Sequence, residues 1–197
     1  RMYEVDTRLR PDGSKGLLVS SLDAFAAYQK SRAWTWEHQA LLRARPVAGD
    51  ASLSHELAEV RREILAVPRN FLAVLAEVSS MRQRWRAERD RADEHQLDLK
   101  QGRGGLLDIE FALQGLVLAH AARCPELLGV TANAGLIEAC RIAGLLNADQ
   151  AAILTVAHAD LLQRALACTL DLRSRITPRD AALRQLCDGV CEVTAAL

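Results

Sequence analysis

The sequence predicts a mainly α-helical bundle of about seven or eight helices, with a short β-hairpin at its N-terminus. Two observations predict it. Apolar residues recur at three- and four-residue intervals between Pro, Gly and capping residues after Ser20. Before Ser20 the pattern alternates instead, with Tyr3, Val5, Thr7 and Leu9 on one parity and Glu4, Asp6, Arg8 and Arg10 on the other.

Taken in order, the alternating stretch reads as one strand, Pro11-Asp12-Gly13 as a turn, and Gly16-Leu17-Leu18-Val19 as a returning strand. Ser20-Ser21-Leu22-Asp23 opens a helix through Tyr28 and Gln29. A second helix is expected from Arg32 to Arg43, stopped by Pro46, Gly49 and Asp50. Leu53, Leu57, Val60 and Ile64 mark a third, which Pro68 ends. A longer helix starts near Asn70 with Leu75, Val78, Met81 and Trp85 on one stripe, and grades into Arg82 to Glu94, where mixed signs suggest a solvated face.

Leu97 to Lys100 reads as a short extended piece, and Gly102-Arg103-Gly104-Gly105 breaks regular structure before a helix from Leu106 to Arg123. Three more helices follow, roughly Asn133 to Leu145, Ala148 to Asp171 and Pro178 to the end. For the last, Thr177 is the expected N-cap with Pro178 at the first helical position.

Composition narrows the function classes. Lys and Arg total 25, Asp and Glu total 25, and half the residues are apolar. Such balance argues against disorder and supplies no global field for nucleic acid. The apolar runs are short and broken by charges or His, so no membrane span is expected. Arg1 is not an initiator Met and no signal peptide follows it, which suggests a piece of a longer cytoplasmic protein. The five cysteines contain no CxxC pair, which fits a reducing compartment, and Cys187 and Cys191 read as packing residues.

Candidate chemistry lies in few places. Asp6 is a solvated strand charge or a carboxylate facing a cleft. Arg8 and Arg10 share its parity and read either as ion-pair partners of Glu4 and Asp6 or as triphosphate ligands. Lys100 and the glycine loop would suit phosphate at a helix N-terminus, but Asp108 in the first turn would repel it, favouring a close-packed turn. Asp108 and Glu110 lie about 200° apart around a helix and read as structural. His38, four residues after Trp34, reads as structural too. Trp34, Trp36 and Trp85 read as filling the core and a domain contact.

Three tracts carry a resemblance. Glu4-Val5-Asp6-Thr7-Arg8-Leu9-Arg10-Pro11, with Gly16-Leu17-Leu18-Val19-Ser20-Ser21, resembles the end of the nucleotidyltransferase palm in the glutamine synthetase adenylyltransferase family. Ala33-Trp34-Thr35-Trp36-Glu37-His38-Gln39-Ala40-Leu41-Leu42-Arg43-Ala44-Arg45-Pro46 resembles a tract of the family's C-terminal, adenylylating half. Asp98-Leu99-Lys100 with Gly104-Gly105-Leu106-Leu107-Asp108-Ile109-Glu110-Phe111 is similar to a signature shared with PII uridylyltransferase.

The resemblance implies terminal palm strands over 1–19 and a helical domain over 20–197. It implies Asp6 as the third palm carboxylate, a catalytic Mg²⁺ ligand, with Arg8, Arg10 and Lys100 as nucleotide contacts. The activity implied is AMP transfer from ATP to a tyrosine of glutamine synthetase, releasing pyrophosphate. PII is the implied partner and glutamine the implied effector. The Gly-Ser turn and Asp-x-Asp pair of such palms are missing from these residues, so the chain alone is expected to be inactive. A regulatory docking module for PII or glutamine synthetase is the alternative, and the related domain of PII uridylyltransferase a third.

Overall fold

A computed structural model describes residues 6, 7 and 9–197. Among these, eight α-helices surround one core and a two-stranded antiparallel sheet. The helices are α1 (Leu22–Ser31), α2 (Thr35–Leu42), α3 (Ala51–Leu65), α4 (Phe71–Arg89), α5 (Leu106–His120), α6 (Asn133–Ile142), α7 (Ala148–Leu170) and α8 (Ala181–Ala195). The strands are β1 (Gln96–Asp98) and β2 (Ile176–Pro178), with Gln96 opposite Pro178 and Asp98 opposite Ile176.

Side chains chosen for their oxygens start most of these helices. Ser21, Asp50, Asn70 and Asn147 accept from Ala24, Ser52, Ala73 and Gln150 backbone N–H groups, each an otherwise unpaired first-turn donor. Gln150 returns the bond to the Asn147 N–H at 2.9 Å, closing a capping box.

Helix α5 is the axis. Its residues from Leu107 to Ala119 are buried on nearly every side, against α2, α4, α6, α7 and α8. Gly115 permits close approach to α4, since a Cβ there would lie 3.2 Å from Leu75. Helix α7 buries Ala151, Leu154, Ala157, Leu161, Ala165 and Cys168, one stripe at helical spacing. It is long and apolar enough by length and composition to cross a membrane, contrary to the expectation from the run lengths. Its outer face carries the Asp160–Arg164 ion pair at 2.6 Å.

Two ends differ from the sequence reading. Of the expected hairpin, Glu4, Val5 and Arg8 lie outside the described residues, while Gly13–Lys15 forms a 3₁₀ turn and Gly16 to Val19 is not a strand. The Arg10 guanidinium closes that turn by donating to the carbonyls of Thr7, Ser14 and Gly16, so a side chain takes acceptors a strand ladder would use. At the other end Asp180, not Thr177, caps α8 by accepting from the Leu183 N–H at 2.7 Å. Thr177 and Pro178 belong to β2, where Pro178 sits at the strand's end and removes no interior ladder bond.

Candidate functional site

The glycine loop folds back on itself before α5. Asp98 Oδ1 accepts from the N–H groups of Lys100 and Gln101, and Gly102 N–H donates to the Asp98 carbonyl. Gly104 has φ +75°, and a Cβ on it would lie 2.3 Å from the Cys187 carbonyl oxygen of α8. Only glycine fits. The N–H groups of Leu106, Leu107 and Asp108 donate to the carbonyls of Leu99, Lys100 and Gly105. The first turn of α5 therefore spends its amides on backbone, leaving them committed where a phosphate cradle would need them.

Asp108 is the electrostatic centre of this turn. Its carboxylate accepts from Arg82 Nε at 2.6 Å, from Arg86 Nη2 at 2.6 and 2.8 Å, and from the Gly104 N–H at 2.7 Å. Arg82 reaches on to the Gln101 carbonyl at 2.6 Å. Burial lowers the pKa of Arg82, and the Asp108 charge opposes that shift. The start of the mixed-charge stretch is thus not solvated: Arg82 is buried and holds α4 against the glycine loop.

The tract from Trp34 to Pro46 builds a second polar assembly. Glu37 is buried, accepting from the Tyr28 hydroxyl at 2.8 Å and the Trp34 N–H at 2.9 Å. His38 Nε2 lies 3.1 Å from the Gln29 carbonyl and Nδ1 lies 3.4 Å from Arg69 Nη2, and burial lowers its pKa. These contacts make His38 a helix-packing residue. Trp85 meets Phe111 edge-on at 5.5 Å, as a core residue should. Trp34 does not fill the core: it is 71 % exposed, and Trp36 is exposed beside it. Both line a pocket of about 460 Å³ between α2 and α4.

A relay, buried at its two glutamines and opening to the surface at Arg43, runs beside this pocket. Gln39 Nε2 donates to Gln114 Oε1 at 3.0 Å, Gln114 Nε2 donates to Glu110 Oε1 at 3.1 Å, and Arg43 pairs with the same oxygen at 2.9 Å. Sequence reading missed it. Gln39 and Arg43 are four apart, as are Glu110 and Gln114, which is one helical face each, but nothing local shows that the two faces meet.

The expected site residues fall in separate surroundings. Asp6 is exposed, Arg8 lies outside the described residues, and Arg10 is tied to its own turn. Lys100 lines a cleft of about 420 Å³ with Arg43, Glu110, Asn133, His158 and Arg175. Among the described residues no group of three or more His, Cys, Asp or Glu side chains could hold a metal. Cys140 and Cys187 are buried, and burial pushes each thiol up to about 11, keeping it protonated.

Comparison with known proteins adds the family. Residues 1–60 match the family model described as glutamate-ammonia ligase adenylyltransferase. Residues 76–182, over half the chain, match the model described as GlnD PII-uridylyltransferase, so the helical part is of that domain family. Along nearly its whole length the chain is similar to bifunctional glutamine synthetase adenylyltransferase/adenylyl-removing enzymes. The chain belongs to the glutamine synthetase adenylyltransferase family. The Stenotrophomonas maltophilia (strain R551-3) enzyme is 50 % identical over 190 residues, covering 96 % of this chain and 20 % of that protein. The Xanthomonas campestris pv. campestris (strain B100) enzyme is 50 % identical over 196 residues, covering all of this chain and 21 % of that protein. The Thioalkalivibrio sulfidiphilus enzyme is 46 % identical over 170 residues, 86 % of this chain and 18 % of the relative. The chain thus spans about a fifth of these adenylyltransferases.

Proposed function

We propose that this chain joins the last part of a nucleotidyltransferase palm, residues 1–19, to the helical domain, residues 20–197, of the adenylylating half of a bifunctional, cytoplasmic enzyme. The observation carrying this is whole-chain identity of about half to adenylyltransferases, running through both the palm-like and the helical tracts. That continuity disfavours PII uridylyltransferase, which only the helical part resembles, and a free-standing docking module for PII or glutamine synthetase.

In this reading a tyrosine oxygen of glutamine synthetase attacks the α-phosphorus of ATP. The new O–P bond forms as the bond to the β-phosphate oxygen breaks, AMP is transferred and pyrophosphate leaves. Asp6 offers the hard, anionic oxygen that Mg²⁺ takes, at an exposed position. When bound, the metal neutralises charge that develops on the phosphoryl oxygens. One carboxylate makes no metal site, so the chain alone is inactive and its partner carboxylates come from elsewhere in the protein. Arg8 and Arg10 would approach the triphosphate only if the turn at Pro11 rearranges, and Lys100 acts from the α5 cleft. PII and glutamine would act on the full protein.

The test is Asp6→Asn in the full-length protein. Adenylyl transfer should fall by orders of magnitude at saturating Mg²⁺ and ATP, with folding and adenylyl removal retained. Transfer close to wild type would sink the assignment of Asp6.

A further inference from the structure

We propose that the exposed leucine ridge of α7 and the basic cleft beside it dock an acidic amphipathic helix, supplied by the same polypeptide outside residues 1–197. Such docking is separate from adenylyl transfer and does not depend on Asp6.

Helix α7 is apolar on two sides. Leu154, Leu161 and Ala165 face the core, whereas Leu162, Leu166 and Leu170 recur four residues apart on another face and are 39, 53 and 83 % exposed. This doubled apolar character is what lets α7 pass, by length and composition, for a membrane-crossing helix. Leu162 and Leu166 also line the cleft of about 420 Å³ that holds Arg43, Lys100 and Arg175. Glu110 neutralises Arg43 at 2.9 Å. Lys100 and Arg175 have no carboxylate partner among the described residues, and Arg175 donates to the Thr169 hydroxyl at 3.3 Å. An apolar ridge and uncompensated positive charge therefore lie side by side.

That pairing defines what fits. The leucines call for an apolar stripe, and the two unpaired cations call for carboxylates beside that stripe. The mid-helix backbone of α7 is committed to its own hydrogen bonds, so a covering segment must satisfy its own, which a helix does. The size of the surface selects the source. Leu162 to Leu170 rises only about 12 Å along the helix. A stable complex of separate proteins buries about 800 Å² per partner, more than so short a ridge provides. A tethered segment, held at roughly millimolar effective concentration, needs less. The chain spans about a fifth of its relatives, which leaves ample polypeptide to supply one.

The test uses the purified full-length protein without nucleotide, so that ATP cannot compete for Lys100. With p-benzoylphenylalanine in place of Leu166, ultraviolet irradiation and mass spectrometry should find an intramolecular cross-link. Its far end should lie in a helix outside residues 1–197 whose Asp and Glu residues recur at helical spacing. Adding Arg175→Glu should cut the yield about tenfold, since like charges then face each other. The same cross-linker in place of Ile142, exposed at the far end of α6 from the cleft, should not reach that helix. No intramolecular cross-link, a cross-link between two copies, or one to a segment without acidic residues would each overturn the proposal. So would a yield unchanged by Arg175→Glu. A failed palm reading shows instead as undiminished adenylyl transfer in Asp6→Asn, a different measurement on a different residue.

Discussion

Arg82 Nε lies 2.6 Å from Asp108 Oδ1, and the two residues are 5 % and 7 % exposed. Both charges have left water, so their attraction must offset a desolvation cost of several kcal/mol per ion. It can do so because Asp108 has three further bonds, two from Arg86 and one from the Gly104 N–H. The hub joins three pieces of chain: the middle of α4, the glycine loop and the start of α5.

Asp108→Asn should therefore destabilise strongly. The variant leaves two guanidinium groups facing a neutral amide, and urea unfolding should register a loss of about 3–5 kcal/mol. Arg82→Lys should also be costly, since an ammonium cannot bond Asp108 and the Gln101 carbonyl in the fork geometry that arginine provides. Stability of Asp108→Asn within about 1 kcal/mol of wild type would show that the hub is not a structural centre.

Gly104 should tolerate no side chain. Gly104→Ala meets both a positive φ, costing about 1–2 kcal/mol, and backbone of α8 at 2.3 Å. Gly13→Ala is the comparison, because Gly13 has φ +55° with nothing near its Cβ. Thermal melts should show Gly13→Ala losing only the backbone cost, about 1–2 kcal/mol, and Gly104→Ala losing clearly more. Equal shifts would mean that the contact with Cys187 is readily relaxed.

Helix starts were legible in the sequence because a cap is a local event: Asn70 and Asn147 sit beside the donors they serve. The charged hub was not, since Asp108 lies 26 residues from Arg82 and the interleaved signs after Arg82 look the same whether solvated or buried. Thr177-Pro178 misled for a related reason. Two residues with good cap chemistry compete there, and the pairing of β2 with β1, remote in sequence, decides for Asp180. Of the candidate site, the Asp6 tract was readable only as a motif, while Gln39 gave no signal at all. A glutamine on a buried face becomes informative only once its partner on α5 is seen.

Acid should weaken the fold through its histidines. Burial lowers the pKa of His38, His120 and His158, so the unfolded chain binds protons more readily than the native one. Folded pKa values below the unfolded 6.5 mean that this stability is present above about pH 6.5 and is lost as pH falls through the folded values. Around His38 stand the Gln29 carbonyl and Arg69, which disfavour and favour the neutral ring respectively, with Glu37 adjacent. Urea midpoints should fall from pH 7.5 to pH 5.5, and His38→Gln should flatten that fall. A midpoint independent of pH across this window would contradict it.

The last prediction concerns Arg61, which closes the end of α2. Its guanidinium donates to the carbonyls of Leu41 at 2.9 Å, Leu42 at 2.5 Å and Leu128 at 2.7 Å. The first two belong to the last turn of α2, where a cation is favoured by the helix dipole; the Leu41 carbonyl also accepts from the Ala44 N–H at 3.1 Å. The third lies in the 3₁₀ turn Pro125–Gly129, so one side chain of α3 joins two segments far apart in sequence. All three acceptors are neutral, and burial accordingly lowers the Arg61 pKa with no carboxylate opposing it. Charge alone is thus not what the site selects; the planar fork is. Arg61→Lys keeps the charge and loses most of the bonds, so it should cost about 1–3 kcal/mol in urea unfolding. Hydrogen exchange should rise in the α2 C-terminal turn and in Pro125–Gly129 together. A lysine variant as stable as wild type, with exchange unchanged in both segments, would show that water replaces these bonds at no cost.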